Sequence, residues 1–290
     1  MKQTTHELSE RPATVAYYLA WLAAALAAVS AVAGLVVPGL YRDSEGWIRQ
    51  ARAADFVTLL AVVPVLVVCL WHGMTGKGRL IGLAALGYLV YTYAIFGFSV
   101  AINLMTPLHF AVLGLSVWTL FLHGIALSQD DQLRGVKVRS PRRATAIFLL
   151  AVSALFGMMW FGQIADAITT GQASAELAGL GLSTNPVYTL DLAFALPFLA
   201  LTGILLLRRW QRAGELGLIA VAWVGLMGLG VLAIFAFDAL VGVPVPIGIA
   251  GVIAVIAAAG IVLAVYAVIP PPRTGRFCRS SRGFARYTAQ

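Results

Sequence analysis

Long runs of hydrophobic residues, separated by short polar stretches, dominate the pattern along this chain. A helix needs roughly 20 mostly apolar residues to cross the hydrocarbon core of a bilayer. Eight segments meet this requirement: about 14–38, 54–72, 80–99, 107–127, 143–163, 186–207, 215–238 and 246–269. They do not alternate as barrel strands would, and backbone groups in lipid must be hydrogen-bonded within their own helix. The pattern therefore predicts an all-α, polytopic membrane protein with about eight transmembrane helices.

Proline and capping residues mark where several of these helices begin. Thr106-Pro107, Ser140-Pro141 and Asn185-Pro186 each place a potential capping side chain before a proline. Proline at the first helical position loses no hydrogen bond, because that N–H has no partner within the helix. The run at 270–272 is three prolines, which ends the last predicted helix. The first segment is longer than the apolar core of a signal peptide, so it is interpreted as a retained span.

The composition agrees with a chain whose solvent is lipid. Sixty per cent of the 290 residues are hydrophobic and only 11% are charged, whereas a soluble domain has about half apolar and a quarter charged residues. These proportions exclude a water-soluble monomer, a disordered chain and a disulfide scaffold. The lipid bilayer is therefore the first expected partner.

The distribution of positive charge predicts the orientation. Seventeen of the 20 Lys and Arg residues lie at the two termini and in every second loop. Eight spans place all of these segments on the same side of the membrane. Only Arg42, Arg49 and Arg52 lie on the other side. The positive-inside rule then places both termini in the cytoplasm, with the protein in the cytoplasmic (inner) membrane. The net charge of +8 follows from this bias. It predicts contacts with anionic lipid headgroups and gives no reason to expect a nucleic-acid partner.

Two of the predicted helices are alike, which suggests an internal duplication. Each has an aspartate near its outer end, Asp55 or Asp191, followed by a proline inside the helix, Pro64 or Pro197. The two prolines differ by three residues in their distance from the aspartates. We expect two four-helix halves related as parallel repeats. The predicted units are the N-terminal half 1–130, a basic cytoplasmic linker 131–142, the C-terminal half 143–270 and a basic cytoplasmic tail 271–290.

Ionisable side chains inside a membrane are costly, so each one is a candidate functional group. Asp191 is the strongest candidate, because with Asn185 as the helix cap it lies in the second turn, beyond the free backbone N–H groups. Tyr188 is one turn earlier on the same face and could donate a hydrogen bond to it. Asp238 ends the next predicted helix and could share a site with Asp191. Exposure of Asp191 to interfacial water is the competing interpretation.

Other polar residues near the outer side have weaker claims. Asp55 falls in the first turn of its predicted helix, so capping of the helix N-terminus is favoured over a functional role. Tyr91 has Tyr88 and Tyr93 close by, and Asn103 lies in the next outer loop. These side chains either form the polar lining of a cavity or lie at the interface, where tyrosines form an aromatic belt.

The histidines raise the question of a haem. His109 and His123 lie 14 residues apart on one predicted helix and so share nearly the same face. Two stacked haems would need a matching pair on another helix, where only His72 is available. One haem held by His72 and His123 is the most that this ligand set offers, and polar side chains near helix ends are the favoured interpretation. We therefore expect no cofactor and no metal.

Several segments resemble a pattern in prokaryotic polytopic membrane proteins of unassigned activity. They are residues 40–44, 54–60, 87–93 and 188–193, together with Asn103. The resemblance implies a prokaryotic inner-membrane protein and marks Asp55, Tyr91, Asn103 and Asp191 as positions to test. It implies no mechanism.

The sequence as a whole favours passage or proton-coupled transport of a small solute, with no enzymatic activity expected. The site would lie between the two halves near the outer face, with Asp191 as the coupling charge. The alternatives are a membrane redox or enzyme subunit that uses the histidines, and a non-catalytic assembly subunit. A membrane-protein partner or a homo-oligomer is compatible with each of them.

Overall fold

Helices make up this structure, a computed structural model. It describes residues 2–129, 138, 141–172, 175–180, 182 and 184–269, and for residues 2–12, 126–129, 175, 176 and 178 it describes the backbone only. Over these residues the chain forms nine helices and no strand: α1 Lys2–Val36, α2 Glu45–Trp71, α3 Gly76–Ser99, α4 Thr106–Gln129, α5 Arg142–Thr170, α6 Ala175–Leu180, α7 Pro186–Leu207, α8 Ala213–Leu240 and α9 Ile247–Val268. All except the short α6 are long and apolar enough to cross a membrane. The predicted all-α fold with eight spans is confirmed, and the chain is a multi-pass membrane protein. The predicted tail 271–290 and most of the predicted linker 131–142 lie outside the described residues.

The successive spans alternate in direction, so the bundle has two ends. We call the end at which α3, α5 and α8 begin the basic end, and the end at which α2, α4, α7 and α9 begin the acidic end. At the acidic end, Arg49 Nε donates to Asp238 Oδ1 at 2.7 Å and joins α2 to α8. At the basic end, Lys77 Nζ donates to the carbonyl oxygens of Ala267 and Val268 at 2.8 and 3.1 Å. These carbonyls end α9 and lack helical partners, so a cation stabilises them.

The apolar core has two parts, with α3 between them. One cluster is formed by α1 to α4 with Leu226 of α8, and the other by α5, α7, α8 and α9 with Leu80 and Ala84 of α3. The helix pairs that the predicted repeat would make equivalent pack differently: α1 packs along α4, whereas α5 and α9 enclose an open apolar cavity of about 600 Å³. The internal duplication stays a prediction. The central position of α3 brings its tyrosines into contact with both parts of the core.

Two of the spans contain a π-helical turn immediately before a proline. The turns are Thr58–Val62 in α2 and Asp191–Ala195 in α7. Pro64 and Pro197 are each the second residue of the α-helical segment that follows, where a missing N–H is tolerated because the hydrogen-bond ladder is already interrupted. Aligned on these turns, Asp191 corresponds to Thr58 and not to Asp55. This accounts for the three-residue offset in the sequence.

The start of α2 differs from the sequence prediction. The helix begins at Glu45, with Ser44 as its cap and the backbone N–H of Trp47 donating to Ser44 Oγ. Residues 45–53 include several charged and polar side chains, so the continuous apolar run begins later than the helix does. Asp55 consequently lies about three turns into the helix, and its predicted role as an N-terminal cap is wrong.

Candidate functional site

The candidate site is centred on the Asp191 carboxylate, at the first residue of the π-helical turn in α7. Asn185 caps α7 by accepting from the backbone N–H of Val187 at 2.9 Å, so the predicted position of Asp191 beyond the free amides is confirmed. The hydroxyl of Tyr91 on α3 donates to Asp191 Oδ1 at 2.8 Å, and the indole N–H of Trp160 on α5 donates to Oδ2 at 2.7 Å. Asp191 is only 9% exposed. No cation pairs with it in the part of the chain that the structure describes.

The two donors are chemically different, which fixes where a proton can bind on Asp191. The indole N–H of Trp160 can only donate, so Oδ2 must accept whenever this bond is present. A phenol hydroxyl can both donate and accept. A proton on Asp191 would therefore sit on Oδ1, and Tyr91 would change from donor to acceptor.

Two cavities meet at Tyr91. The first, of about 150 Å³, lies between α2, α3, α7 and α8 and includes Gln50 in its wall. The second, of about 120 Å³, lies between α3, α5, α7, α8 and α9 and contains Asp191. Tyr91 and Met227 are among the residues that line both cavities. At ~30 Å³ per water molecule, each cavity holds a group of only a few heavy atoms.

Aromatic rings surround Asp191 in the second cavity. Tyr91, Phe156, Trp160 and Trp223 all line it. The rings of Tyr91 and Trp223 meet edge to face with centroids 5.7 Å apart, and those of Phe156 and Trp160 are 6.4 Å apart. An aromatic face attracts a cation, and the attraction is stronger where water is excluded. The second cavity thus combines one carboxylate with a wall suited to an organic cation.

Tyr188 and Asp238, the expected companions of Asp191, are held by other residues. The Tyr188 hydroxyl donates to Gln163 Oε1, and its ring lies against Trp160 with the centroids 5.0 Å apart. Trp160 therefore makes the contact with Asp191 that was expected of Tyr188. Asp238 is paired with Arg49 at the end of α8, and it is not brought to Asp191.

Asp55 occupies a separate buried position between α1 and α2. It is 0% exposed. The Tyr41 hydroxyl donates to Oδ2 of Asp55 at 2.5 Å, and Oδ1 of Asp55 has no hydrogen-bond partner within the described part of the chain. Burial, followed by the nearby Asp55 carboxylate, raises the pKa of Tyr41 well above its ordinary value, so this phenol stays protonated and available as a donor. Gly34 of α1 leaves the space that the carboxylate fills.

Asn103 stays in the loop between α3 and α4, away from the Asp191 site. Its Oδ1 accepts from the backbone N–H of Met105 at 2.8 Å, and its Nδ2 donates to the carbonyl of Ala101 at 3.1 Å. These bonds make it a local turn residue. The proposed haem ligands have different surroundings: His72 is exposed at the end of α2, whereas His123 is buried on α4.

Sequence reasoning identified Asp191 and Tyr91 but missed Trp160. A tryptophan in the outer third of a span ordinarily indicates the aromatic belt at the interface. In the sequence, Trp160 is distinguished only by lying on the same predicted outer side as Asp191. That shared side does not reveal that the helices of the two residues touch. Trp223, in the middle of α8, could have been singled out because an indole N–H within the hydrocarbon core needs a partner or a cavity.

No protein-family model, curated protein or solved structure matches this chain. The fold defines a multi-pass helical membrane protein, and the buried carboxylate in the second cavity, bonded to the Tyr91 hydroxyl, defines its candidate site.

Proposed function

We propose that this protein transports a small solute across a membrane in exchange for protons, with Asp191 as the group that carries the coupling. The observation that carries the proposal is a carboxylate within a membrane span, 9% exposed and without a paired cation among the described residues. It lines the second cavity and is hydrogen-bonded to Tyr91, which lines both cavities. Such a group is costly to keep in a membrane, so its presence favours a functional role. Placement between two parts of a helical bundle is typical of transporter binding sites.

A proton reaches Asp191 through Tyr91. The phenol lines both cavities, so its oxygen can accept a proton from the first cavity while its own proton passes to Asp191 Oδ1. Trp160 holds Oδ2 throughout and keeps the carboxylate in place. The number of protons is conserved: one enters at the Tyr91 oxygen and one arrives on Asp191.

The lining of the second cavity favours a small organic cation as the solute. A cation is attracted to the Asp191 carboxylate and to the aromatic faces of Trp160 and Trp223. The cavity of about 120 Å³ limits the solute to the size of a small alkylammonium ion. Proton and cation neutralise the same carboxylate, so the site holds one or the other. This mutual exclusion makes the transport an exchange.

We further propose the cytoplasmic membrane as the location, with both termini in the cytoplasm. Support comes from Lys77, Arg142, Arg143 and Arg209, which all lie at the basic end, the end expected to face the cytoplasm. The Asp191 site then opens nearer the outer face.

Purified protein in liposomes tests the function directly. Liposomes with an acidic interior are diluted into neutral buffer that contains labelled tetramethylammonium. We expect the label to accumulate against its own gradient, to stop accumulating when a protonophore is added, and to be displaced by unlabelled tetramethylammonium. Uncharged tert-butanol, which has nearly the same shape, should not displace it. Uptake no greater than that of protein-free liposomes would refute the proposal.

Replacement of Tyr91 by Phe removes the hydroxyl and keeps the ring. Tyr91→Phe is expected to slow proton-driven uptake about tenfold, because a hydrogen bond to a charged group contributes about 1.5–3 kcal/mol. The concentration of tetramethylammonium that gives half-maximal uptake should change little, since the ring still lines the cavity. Tyr18→Phe is the matched control, because Tyr18 is exposed on α1. A wild-type uptake rate in Tyr91→Phe would exclude Tyr91 from the proton path.

A further inference from the structure

We infer that an anionic phospholipid binds at the basic end of the bundle, with its phosphate between the first turn of α5 and the last turn of α7. This inference is independent of the Asp191 site. A cavity of about 780 Å³ lies there, and its wall includes Arg142, Arg143 and Arg209 together with Leu206 and Leu207. The cavity therefore has a cationic part and an apolar part.

The three arginines have no anionic partner among the residues that the structure describes. All three are exposed, and none takes part in an ion pair in the described portion of the chain. Among the residues that the structure describes, no Asp or Glu lines the cavity. A guanidinium group binds phosphate oxygens through two parallel hydrogen bonds, and the first backbone N–H groups of α5 add to the positive potential. Three unpaired guanidinium groups around one cavity thus match a phosphate.

The backbone at Arg209 provides a second observation. The N–H of Arg209 bonds to the carbonyl of Leu206, and the N–H of Trp210 bonds to that of Leu205. This is the Schellman arrangement, in which the residue at the position of Arg209 is usually glycine. Arg209 adopts the left-handed conformation with φ 54°, which costs a non-glycine residue free energy. An arginine at a glycine position, aimed at a cavity with two other arginines, points to a role for its charge.

The position of the cavity favours a lipid over a soluble anion. Arg142 begins one span and Leu207 ends another, so the arginines lie at the depth of phospholipid phosphates. Leu206 and Leu207 extend the cavity towards the apolar side, where acyl chains would lie, and Leu207 is half exposed. Anionic lipids attract basic residues at this boundary.

Thermal unfolding in detergent with added lipid tests the inference. We expect phosphatidylglycerol to raise the Tm of the wild-type protein by about 5 °C at saturation, whereas phosphatidylcholine and inorganic phosphate leave it unchanged. Arg209→Gly and Arg143→Gln should each weaken the apparent affinity for phosphatidylglycerol about tenfold. Arg208→Gln is the matched control, because Arg208 is the adjacent arginine and does not line the cavity.

Arg209→Gly also separates binding from a purely structural role. Without lipid its Tm should equal or exceed that of the wild type, because glycine relieves the left-handed conformation. A lower Tm without lipid would mean that Arg209 is structural and would overturn the inference. Equal stabilisation of all variants by phosphatidylglycerol would show only general charge attraction, and an equal effect of inorganic phosphate would make the ligand a soluble anion. Either result would also overturn it.

Discussion

Asp191→Asn is expected to reduce proton-driven uptake of tetramethylammonium to the level of protein-free liposomes. Asparagine has nearly the same size, and its amide oxygen can still accept a hydrogen bond. It carries no charge and cannot bind a proton at neutral pH, so both the cation and the coupling ion lose their site. A loss of at least about 100-fold corresponds to the removal of a fully desolvated charge pair worth roughly 3 kcal/mol. Uptake of the label in reconstituted liposomes is the measurement.

The matched control is Asp166→Asn, which changes an exposed carboxylate on α5. We expect uptake by Asp166→Asn to equal that of the wild type. The two variants should be compared at equal amounts of folded protein, judged by size-exclusion chromatography. Proton-driven uptake that survives in Asp191→Asn would exclude Asp191 as the coupling group.

Gly34→Ala is expected to prevent correct packing of α1 against α2. A Cβ atom at position 34 would lie 1.8 Å from Asp55 Oδ2 and 2.6 Å from the hydroxyl oxygen of Tyr41. Asp55 is 0% exposed and is held by Tyr41, so the carboxylate has no open space to enter. Overpacking of this degree costs more than about 3 kcal/mol. The yield of monodisperse protein and its Tm in detergent measure the loss.

The control for this prediction is Gly162→Ala on α5, where a Cβ would have nothing within 4 Å. Gly162→Ala should match or slightly exceed the wild-type stability, because alanine is the better helix former. The double variant Gly34→Ala with Asp55→Ala should recover part of the lost stability, since the closest clash is removed. Equal yields and Tm values for Gly34→Ala and the wild type would contradict the close approach of α1 to Asp55.

The spans were predictable from the sequence because lipid imposes a length and an apolar composition on each helix. Six of the predicted segments agree closely with the membrane-spanning parts of the helices, while α5 continues seven residues beyond its predicted end, to Thr170. The start of α2 was missed because residues 45–53 include four charged or polar side chains and lie in the helix all the same, with Arg49 paired to Asp238. Local composition cannot reveal a partner on a helix almost 190 positions later in the chain.

The candidate site was predictable only in part. The cap at Asn185 and the position of Asp191 follow from local rules that act over a few residues. The partners of Asp191 come from α3 and α5, and which helices touch depends on packing of side chains across the whole bundle. The π-helical turn at Asp191 was equally hidden, although Pro197 gave a sign that the helix was interrupted.

The most direct test of the central claim is the pH dependence of tetramethylammonium binding, measured by calorimetry on the purified protein. Proton and cation are proposed to compete for Asp191. We therefore expect the affinity to fall as the pH is lowered, approaching about tenfold per pH unit once the carboxyl is mostly protonated. Specific binding to the wild type with one affinity throughout the range from pH 5 to pH 9 would contradict a shared site at Asp191.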